Sequence, residues 1–458
     1  MATAIWWVRR DFRIGDNPAL VAAAAAGDVL PVFVLDDRLW QPAGDPRRAW
    51  LVGCLHWLRE RTGGALVVRA GDPAEELVAV ARRVGAATVV AAADYGPYGR
   101  ERDDRVEEAL GGVGVAFERH GTPWAVAPGV VTKADGTPFK VFTPYSRAWA
   151  ARGWGRPLPA PDVRWATGHR GVAIPDAPAV DAELLPVGED AALEQWRHFR
   201  DGALADYAEG RDRPDGEHTS RMSVYLKYGC THPRTMLADL DARNRSAATY
   251  RSELCWRDFY ADVLWHRPDS ARRAFNPAMA TMQLDTGPTA EARLAAWREG
   301  RTGYPIVDAG MRQLLAEAWV HNRVRMIVAS FLVKDLHVDW TLGARWFMAR
   351  LQDGELSSNN HGWQWVAGTG TDAAPYFRVF NPITQGRKFD PRGDYVRRFV
   401  PELRAVAGAA VHEPWSAPAG APAGYPERIV DHAAERAEAL RRYEDLRRSA
   451  APATAPRR

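Results

Sequence analysis

Cysteine is scarce in this chain, with three residues, Cys54, Cys230 and Cys255, among 458. Because they are odd in number, far apart and form no CxxC pair, we expect neither a disulfide framework nor a zinc or iron–sulfur site. Apolar runs of about 18 residues are also missing, and the chain starts with a strand-like segment, so we expect no membrane span or secretory signal. These absences favour a protein of the reducing cytoplasm.

A strong net charge is missing as well, since 60 basic and 57 acidic residues leave only +3. This balance does not by itself indicate a nucleic-acid partner. The basic residues are nearly all arginine, which suits bidentate phosphate contact, although a GC-rich coding bias explains the same excess. Nineteen tryptophans are present, and they indicate base stacking or electron transfer unless they only fill a large helical core.

The first 128 residues alternate short apolar runs with helical stretches, which predicts a Rossmann-like parallel sheet covered by helices on both faces. Strands are expected at 5–8, 29–35, 66–69, 88–92 and 115–118, and helices at 18–26, 47–61, 74–84 and 100–110. The segment 9–13 (RRDFR) follows the first strand in place of the glycine fingerprint of a dinucleotide fold, which disfavours a dehydrogenase.

The rest of the chain changes pattern twice. Residues 129–190 are rich in proline, glycine and alanine and predict a long connector wrapped over the surface. Helical periodicity dominates 191–448, which predicts an all-α second domain. Its helices are expected at 190–209, 233–266, 289–299, 305–318, 321–335, 341–352 and 430–447. A disordered tail is expected at 449–458, so the fold class is α/β followed by all-α.

Two segments of the helical region place polar groups where a ligand pocket needs them. The segment 219–223 (TSRMS) puts hydroxyl groups at a helix entrance, which suits a phosphate, although a simple N-cap explains it too. Glu253, Trp256 and Arg257 share one helical face. They predict a polar-aromatic pocket lining, with a solvated helix face as the alternative.

Two later segments have the same character. Asn322, Arg325 and Met326 share one helical face, from which Arg323 is expected to point away. The segment 353–365 holds two acids, two adjacent amides and two indoles, which is too polar and too aromatic for routine packing. Its histidine has no partner at ligand spacing, so it is expected to be hydrogen-bonded or exposed, and no metal site is predicted.

These motifs, in this order, resemble the photolyase/cryptochrome family. The likeness runs from 7–13 to 425–426 and is strongest at 303–308, 321–323, 331–336, 359–360 and 369–378. Within the family it is nearest to class I cyclobutane pyrimidine dimer photolyases of the deazaflavin-antenna branch. The resemblance implies light-dependent DNA repair, in which photoexcited reduced FAD passes an electron to a flipped-out dimer. The cyclobutane ring splits and the electron returns, so the enzyme is a lyase.

The resemblance implies one FAD per monomer, active as the reduced anion and held in a U shape by the helical domain. The matching positions are Tyr207, Thr219, Ser220, Arg221, Met222, Ser223, Glu253, Arg257, Asn322, Arg325, Asp353, Glu355 and Asn359. The family usually has aspartate where Glu355 stands. Asn359 matches the residue opposite flavin N5, where an amide favours repair and plant cryptochromes carry aspartate.

The resemblance also implies a lesion site. The matching catalytic positions are Glu253, Asn322, Asn359, Trp256, Trp365 and Met326. In the family the two indoles flank the flipped dimer, the carboxylate and the first amide bond its polar edges, and the methionine packs against it, where (6-4) enzymes have histidine. The matching DNA contacts are Arg211, Trp256, Arg323, Trp365 and Arg378.

Two further sets of residues match by the same resemblance. Trp363 and Trp340 match the proximal and middle members of the tryptophan chain that re-reduces the flavin in light. The outermost member has no counterpart, because 282–287 (MQLDTG) stands in its place. Arg47, Asp94 and Lys227 match antenna contacts, and 94–100 favours 8-hydroxy-5-deazaflavin over a folate, with an ordinary surface turn as the alternative.

The expected partner is therefore UV-damaged DNA containing pyrimidine dimers, bound by a cytoplasmic monomer without membrane association. A cryptochrome-type blue-light photoreceptor with little or no repair activity is the rival function. Asn359, the Met326 and Trp365 pair, and the short tail after 447 argue against it. A plain electron-transfer flavoprotein is a weaker rival, since it does not account for the aromatic and arginine pocket.

Overall fold

The computed structural model describes residues 3–241, 243–372, 375–376, 378–418 and 420–450. The chain divides into two compact units. The first unit comprises Met1–Ala208, Ser220–Pro268 and Gln352–Glu355, and the second Glu209–Thr219, Asp269–Leu351 and Leu356–Arg458. The domain boundaries at 128, 190 and 448 stay predictions. Residues 449 and 450 of the predicted disordered tail end the last helix, and 451–458 lie outside the described residues.

A five-stranded parallel sheet forms the core of the first unit, in the order β3-β2-β1-β4-β5. Its strands are β1 (Thr3–Trp7), β2 (Asp28–Leu35), β3 (Val67–Ala70), β4 (Thr88–Ala91) and β5 (Ala116–Arg119). Strands β1, β2 and β4 are buried along nearly their whole length, as expected where helices cover both faces. All five predicted strands are confirmed, with ends shifted by one or two residues.

In its described residues this part of the chain contains eleven α-helices, and the first, third, fourth and fifth of them confirm the helices predicted at 18–26, 47–61, 74–84 and 100–110. The eleven are α1 (Pro18–Ala26), α2 (Asp37–Trp40), α3 (Asp45–Arg61), α4 (Pro73–Val84), α5 (Pro97–Gly111), α6 (Phe142–Arg152), α7 (Glu189–Asp201), α8 (Tyr207–Gly210), α9 (Ser223–Tyr228), α10 (Pro233–Asp239) and α11 (Arg245–His266). Local signals explain their starts: Asn17 caps α1 and Asp72 caps α4, each followed by proline. Helix α4 ends where Gly85 takes φ +64°.

Helix α6 lies inside the segment that was predicted to be only a connector. Pro144 falls in its first turn, where the missing N–H costs nothing. Tyr145 and Trp149, one turn apart, are both buried. The continuous helices expected at 190–209 and 233–266 were also wrong predictions. The first ends at Gly202, which leaves the helical conformation, and the second is broken because Leu240 is extended and Asn244 caps a new helix.

The second unit is helical in its described residues, as predicted. Its helices are α12 (Pro288–Glu299), α13 (Pro305–Glu317), α14 (Asn322–Ser330), α15 (Trp340–Arg350), α16 (Leu356–Ala367), α17 (Pro382–Phe389), α18 (Asp394–Phe399) and α19 (His432–Ala450). Helix α14 continues into a π-helical turn, Phe331–Asp335. The hydrophobic core of this unit contains side chains from each of the helices α12 to α18. In the described part of the chain no helix is long and apolar enough to span a membrane.

Candidate functional site

Helix α11 carries three predicted site residues of the first unit, Glu253, Trp256 and Arg257, and all three are half-buried. Arg257 donates to Pro123 O at 2.8 Å, and its guanidinium lies 3.9 Å from the centre of the Trp124 ring. Burial lowers the pKa of Arg257 to about 10, against the attraction of Glu355. The burial favours a pocket lining over a solvated face. Sequence reasoning missed Trp124, which pairs with Arg257 only through the tertiary fold.

The indole of Trp256 is covered on one face by Phe142 of helix α6. The ring centres are 3.7 Å apart and the ring planes lie within 5° of each other. Phe259 and Tyr260 of α11 add edge and tilted contacts at 5.7 and 5.4 Å. Phe142 was not among the predicted site residues, because it lies far away in the chain.

The segment 220–223 forms a turn that ends in helix α9. Ser220 Oγ and Tyr250 OH share a hydrogen bond of 2.9 Å, and Ser223 Oγ donates to Asp353 Oδ2 at 2.7 Å. Arg221 has φ +53°, a backbone conformation that side-chain-bearing residues rarely adopt. Tyr250 also contacts the buried Tyr207 edge-on, with ring centres 5.2 Å apart.

The structure therefore brings two groups of predicted cofactor residues together, one around Tyr250 and one between α9 and Asp353. Met222 is buried within the turn. Thr219 falls in the second unit and is half-buried. Tyr250 was missed, although its position one turn before Glu253 on the same helix was a usable signal.

Glu355 lies among basic side chains of the first unit. It forms an ion pair with Arg10. Although burial alone would raise it, attraction by Arg10, Lys227 and Arg257 holds the pKa of Glu355 below its ordinary value. Burial lowers the pKa of Lys227 to about 8, against the pull of Glu355. The longer side chain of glutamate thus meets Arg10, a residue to which sequence reasoning gave no role.

The three residues predicted to hold an antenna belong to the same charged region. Burial lowers the pKa of Arg47, and its Nε has no hydrogen-bond partner in the structure. Burial would raise the pKa of Asp94, but Arg102, Arg9 and Arg10 hold it well below its usual range. Arg102 donates to Asp94 at 3.1 Å. The charges of Arg47 and Asp94 both act on Lys227, so all three predicted residues lie within one charged region.

In the second unit, α14 begins at the exposed Asn322, and His321 caps it by accepting from Arg323 N. Arg323 forms a bidentate ion pair with Asp212, with Nη2 2.9 and 3.0 Å from its two oxygens. The expectation that Arg323 points away from Met326 was wrong: its Nη1 reaches Met326 Sδ at 3.5 Å, because the long side chain spans one helical turn. Arg325 Nε donates to Val320 O at 2.8 Å.

Helix α16 carries Asn359, Trp363 and Trp365, but sequence periodicity did not predict it, since serine, asparagine, histidine and glycine are weak helix formers. Asn359 Nδ2 donates to Ala344 O at 3.1 Å and to Asn360 Oδ1 at 2.8 Å. Because an amide has only two N–H donors, both donors of Asn359 are in use in this position.

The aromatic residues of the second unit are buried to different degrees. Trp363 is 3% exposed, and its ring lies edge-on to Phe347 at 5.1 Å and to Trp297 at 6.0 Å. Trp340, also buried, begins α15, while Trp365 is half-buried. Trp297 was not among the predicted electron-transfer residues.

The remaining predicted positions are surface groups or hydrogen-bonded ones. Arg378 is exposed, and its carbonyl accepts from Lys334 at 3.1 Å. Arg211 is half-buried. His361 is hydrogen-bonded, as expected, to Ser270 Oγ at 2.9 Å and Ser357 O at 2.8 Å, and burial lowers its pKa to about 4.

Among the described residues no group of acids, histidines or cysteines is arranged to hold a metal ion. Three residues of the 369–378 motif, Ala373, Ala374 and Phe377, lie outside the described residues.

Known proteins that resemble this chain over nearly its whole length include DNA photolyases. Residues 4–162 match the family DNA photolyase, and residues 250–445 match the FAD binding domain of DNA photolyase. A deoxyribodipyrimidine photo-lyase of Halobacterium salinarum is 40% identical, over 97% of this chain and 99% of that protein. The Escherichia coli protein of the same name is 39% identical, over 98% and 100%. The crystal structure of a class III photolyase from Agrobacterium tumefaciens is similar with a TM-score of 0.92 and 36% identity, covering 98% of each chain.

Proposed function

The chain belongs to the DNA photolyase family, and on that premise we propose that it is a deoxyribodipyrimidine photo-lyase that uses light to split cyclobutane pyrimidine dimers in DNA. The observation that carries the proposal is the stacked indole of Trp256 on the helix that also presents Glu253 and Arg257. A half-buried indole beside a carboxylate suits a flipped-out pyrimidine dimer, because each base of the dimer offers both a face for stacking and polar edges.

The donor set fits FAD. The segment 220–223 carries two hydroxyl groups, which bond Tyr250 and Asp353 in this structure, and a turn in the left-handed region at Arg221. Turned toward a ligand, the two O–H groups would suit a diphosphate. Bound and reduced, FAD would supply one electron to the dimer under light and regain it after the ring has opened. Asn359 would turn its amide about χ2, releasing one of its two internal hydrogen bonds, to place an N–H against the flavin.

The residues of the chain would divide the remaining work. Trp256 and Trp365 would stack on the dimer, with Met326 packed against it, while Glu253 and Asn322 would bond its polar edges. In its protonated form the Glu253 carboxyl group would donate to the lesion and stabilise the negative charge that appears there only after the electron arrives. Arg211, Arg323 and Arg378 would contact phosphates and add affinity without sequence preference. For Arg323, this would require that it share its guanidinium with Asp212.

The test of the function is direct. The protein, supplied with FAD and a reductant, is mixed with an oligonucleotide that carries one cyclobutane thymine dimer and is illuminated with blue light. We expect restored thymines in the light and none in the dark. A photoreceptor of the cryptochrome type would bind FAD and change its absorption in light but leave the dimers intact, and that result would contradict the proposal.

We further propose that an antenna chromophore, 8-hydroxy-5-deazaflavin, binds at Arg47, Asp94 and Lys227. The sheet order reverses direction between β1 and β4, and ligands of such sheets bind beyond the carboxyl ends of those strands. Asp94 follows β4, and the neighbouring Arg10 follows β1. Arg47, with its unpartnered Nε, and Lys227 offer donors to an anionic ring.

This antenna predicts a strong absorption band near the violet–blue boundary in addition to the flavin bands. Protein from a host that makes deazaflavins should show the band, and the Lys227→Met variant should lose it while keeping FAD. Glu60→Gln on the exposed end of α3 is the matched control and should keep both. Flavin bands alone in wild-type protein from such a host would contradict the assignment.

Trp363→Phe should abolish most light-driven reduction of bound FAD, because phenylalanine keeps the packing against Phe347 and Trp297 but is much harder to oxidise. Photoreduction is measured from the flavin absorbance in the presence of a thiol reductant. Repair by chemically reduced enzyme should be spared. Trp415→Phe, a half-buried tryptophan of the same unit, serves as the control. Normal photoreduction in Trp363→Phe would show that electrons enter elsewhere.

We also propose that the enzyme works as a monomer in the cytoplasm, on DNA. Sedimentation of the purified protein should give one species near 50.7 kDa, and binding of dimer-containing DNA should add one copy of the duplex per chain.

A further inference from the structure

We infer that Phe142 is a positioning residue of the lesion site: it acts through Trp256, whose indole plane it fixes for stacking on the damaged base. The inference rests on the proposed function. Its basis is the parallel contact between the two rings, with centres 3.7 Å apart and an interplanar angle of 5°. No other described ring pair in this chain combines so short a distance with so small an angle.

Helix α6, which carries Phe142, is itself held firmly against α11. Trp149 Nε1 donates to the buried Asp258 Oδ2 at 2.9 Å, and the same carboxylate oxygen accepts from Val126 N at 2.9 Å. Tyr145 is fully buried, and its ring lies 5.0 Å from that of Phe259. Since Asp258 follows Trp256 and Arg257 directly in the chain, the anchor of α6 and the predicted lesion residues share one helical stretch.

This arrangement leaves at most one face of the Trp256 indole for a base. One side of the indole is occupied by Phe142, so a base can stack only on the other side. The contact also restricts the indole to one rotamer before the substrate arrives. Side-chain ordering that is completed in the free protein does not oppose binding, which is the physical meaning of preorganisation. A loosely held indole at the same position would bind the lesion more weakly, although it would make the same contacts with the lesion.

Phe142 itself is half-buried, so simple coverage of apolar surface is the competing explanation. The two explanations differ in what they predict for substrate binding. A residue that only covers α11 affects stability and leaves discrimination between damaged and undamaged DNA unchanged. A residue that positions Trp256 affects binding of damaged DNA selectively, and has no effect once the indole is removed.

The experiment compares Phe142→Leu, which keeps most of the volume under α6, with Phe142→Tyr, which keeps the ring. Dissociation constants are measured for a duplex with one thymine dimer and for the same duplex without it. An aromatic pair energy corresponds to a factor of roughly two to twelve, so Phe142→Leu should weaken binding of damaged DNA by that factor and leave undamaged DNA unchanged. Phe142→Tyr should bind both as the wild type does.

The matched control is Phe139→Leu, because Phe139 contacts Tyr145 edge-on at 6.2 Å and has no described ring contact with Trp256. It should leave both dissociation constants unchanged. A double-mutant cycle with Trp256→Ala completes the design. In that background Phe142→Leu should have no further effect on binding of damaged DNA.

Three results would overturn the inference. They are binding of damaged DNA by Phe142→Leu as tight as that of the wild type, equal weakening of binding to both duplexes, and a full effect of Phe142→Leu in the absence of the Trp256 indole. If instead Trp256→Ala alone does not weaken binding of damaged DNA, the inference fails together with the lesion role of Trp256. Repair by illuminated wild-type protein then still decides the proposed function separately.

Discussion

Trp256→Ala should weaken binding of dimer-containing DNA by roughly 5- to 160-fold, because stacking of a base on an aromatic side chain is worth about 1–3 kcal/mol. The indole is half-buried and already stacked on Phe142, so little ordering remains to be done when the lesion arrives. Undamaged DNA, which keeps its bases within the helix, should bind the variant and the wild type equally. Fluorescence anisotropy on a matched pair of duplexes measures both constants.

The dependence of binding on salt separates stacking from phosphate contact. Loss of one phosphate contact reduces the slope of log K against log salt by about 0.9, whereas loss of an indole should leave the slope unchanged. Trp256→Phe keeps a ring and should retain most of the affinity. Equal weakening of damaged and undamaged DNA in Trp256→Ala would show that the indole supports the fold and does not contact the lesion.

Much of the fold follows from local sequence pattern. The buried strands β1, β2 and β4 are short, mainly apolar runs, and proline stands in the first turn of α1, α3 and α5, so hydrophobic periodicity and helix-start residues were sufficient there. Helices α6 and α16 were not predicted from the sequence, for two different reasons. Helix α6 lies in proline-rich sequence and is stabilised by Trp149 and Tyr145 packing on α11. Helix α16 is built from weak helix formers and depends on its tertiary environment.

The candidate site was predictable where one helical turn relates its members. Spacing on α11 and α14 grouped the predicted residues without any knowledge of the fold. The partners of those residues come from distant segments, as Phe142 does for Trp256 and Arg10 does for Glu355. Such pairs leave no periodic signal. The family resemblance placed Glu355 among the flavin contacts, while the structure pairs its carboxylate with Arg10; its contact with FAD remains a prediction.

Glu355→Gln should lower the free energy of unfolding by about 3 kcal/mol at neutral pH, since removing one partner of a buried ion pair leaves the other uncompensated. The side chains of Arg10 and Glu355 are only 24% and 13% exposed, and Lys227 and Arg257 would lose the same counter-charge. Urea unfolding followed by circular dichroism measures the change. Glu299→Gln, in the exposed ion pair with Arg301, is the control and should leave the midpoint unchanged.

The pH dependence identifies the cause of that loss. The pKa of Glu355 is lowered in the folded protein, so its contribution is complete above the ordinary glutamate pKa of about 4.3 and disappears as the pH falls through the folded value. The deficit of Glu355→Gln should therefore shrink in acid. Lys227 makes stability depend on pH in the alkaline range. Its folded pKa, about 8, lies below the unfolded value near 10.4, and the folded pKa should fall further without Glu355. The variant should then gain more stability than the wild type as the pH rises through the range just below and around 8, and both should gain alike at higher pH. A deficit that does not shrink below about pH 4 and does not change around pH 8 would mean that Glu355 stabilises the protein by packing and hydrogen bonding, and that its charge has no part in it.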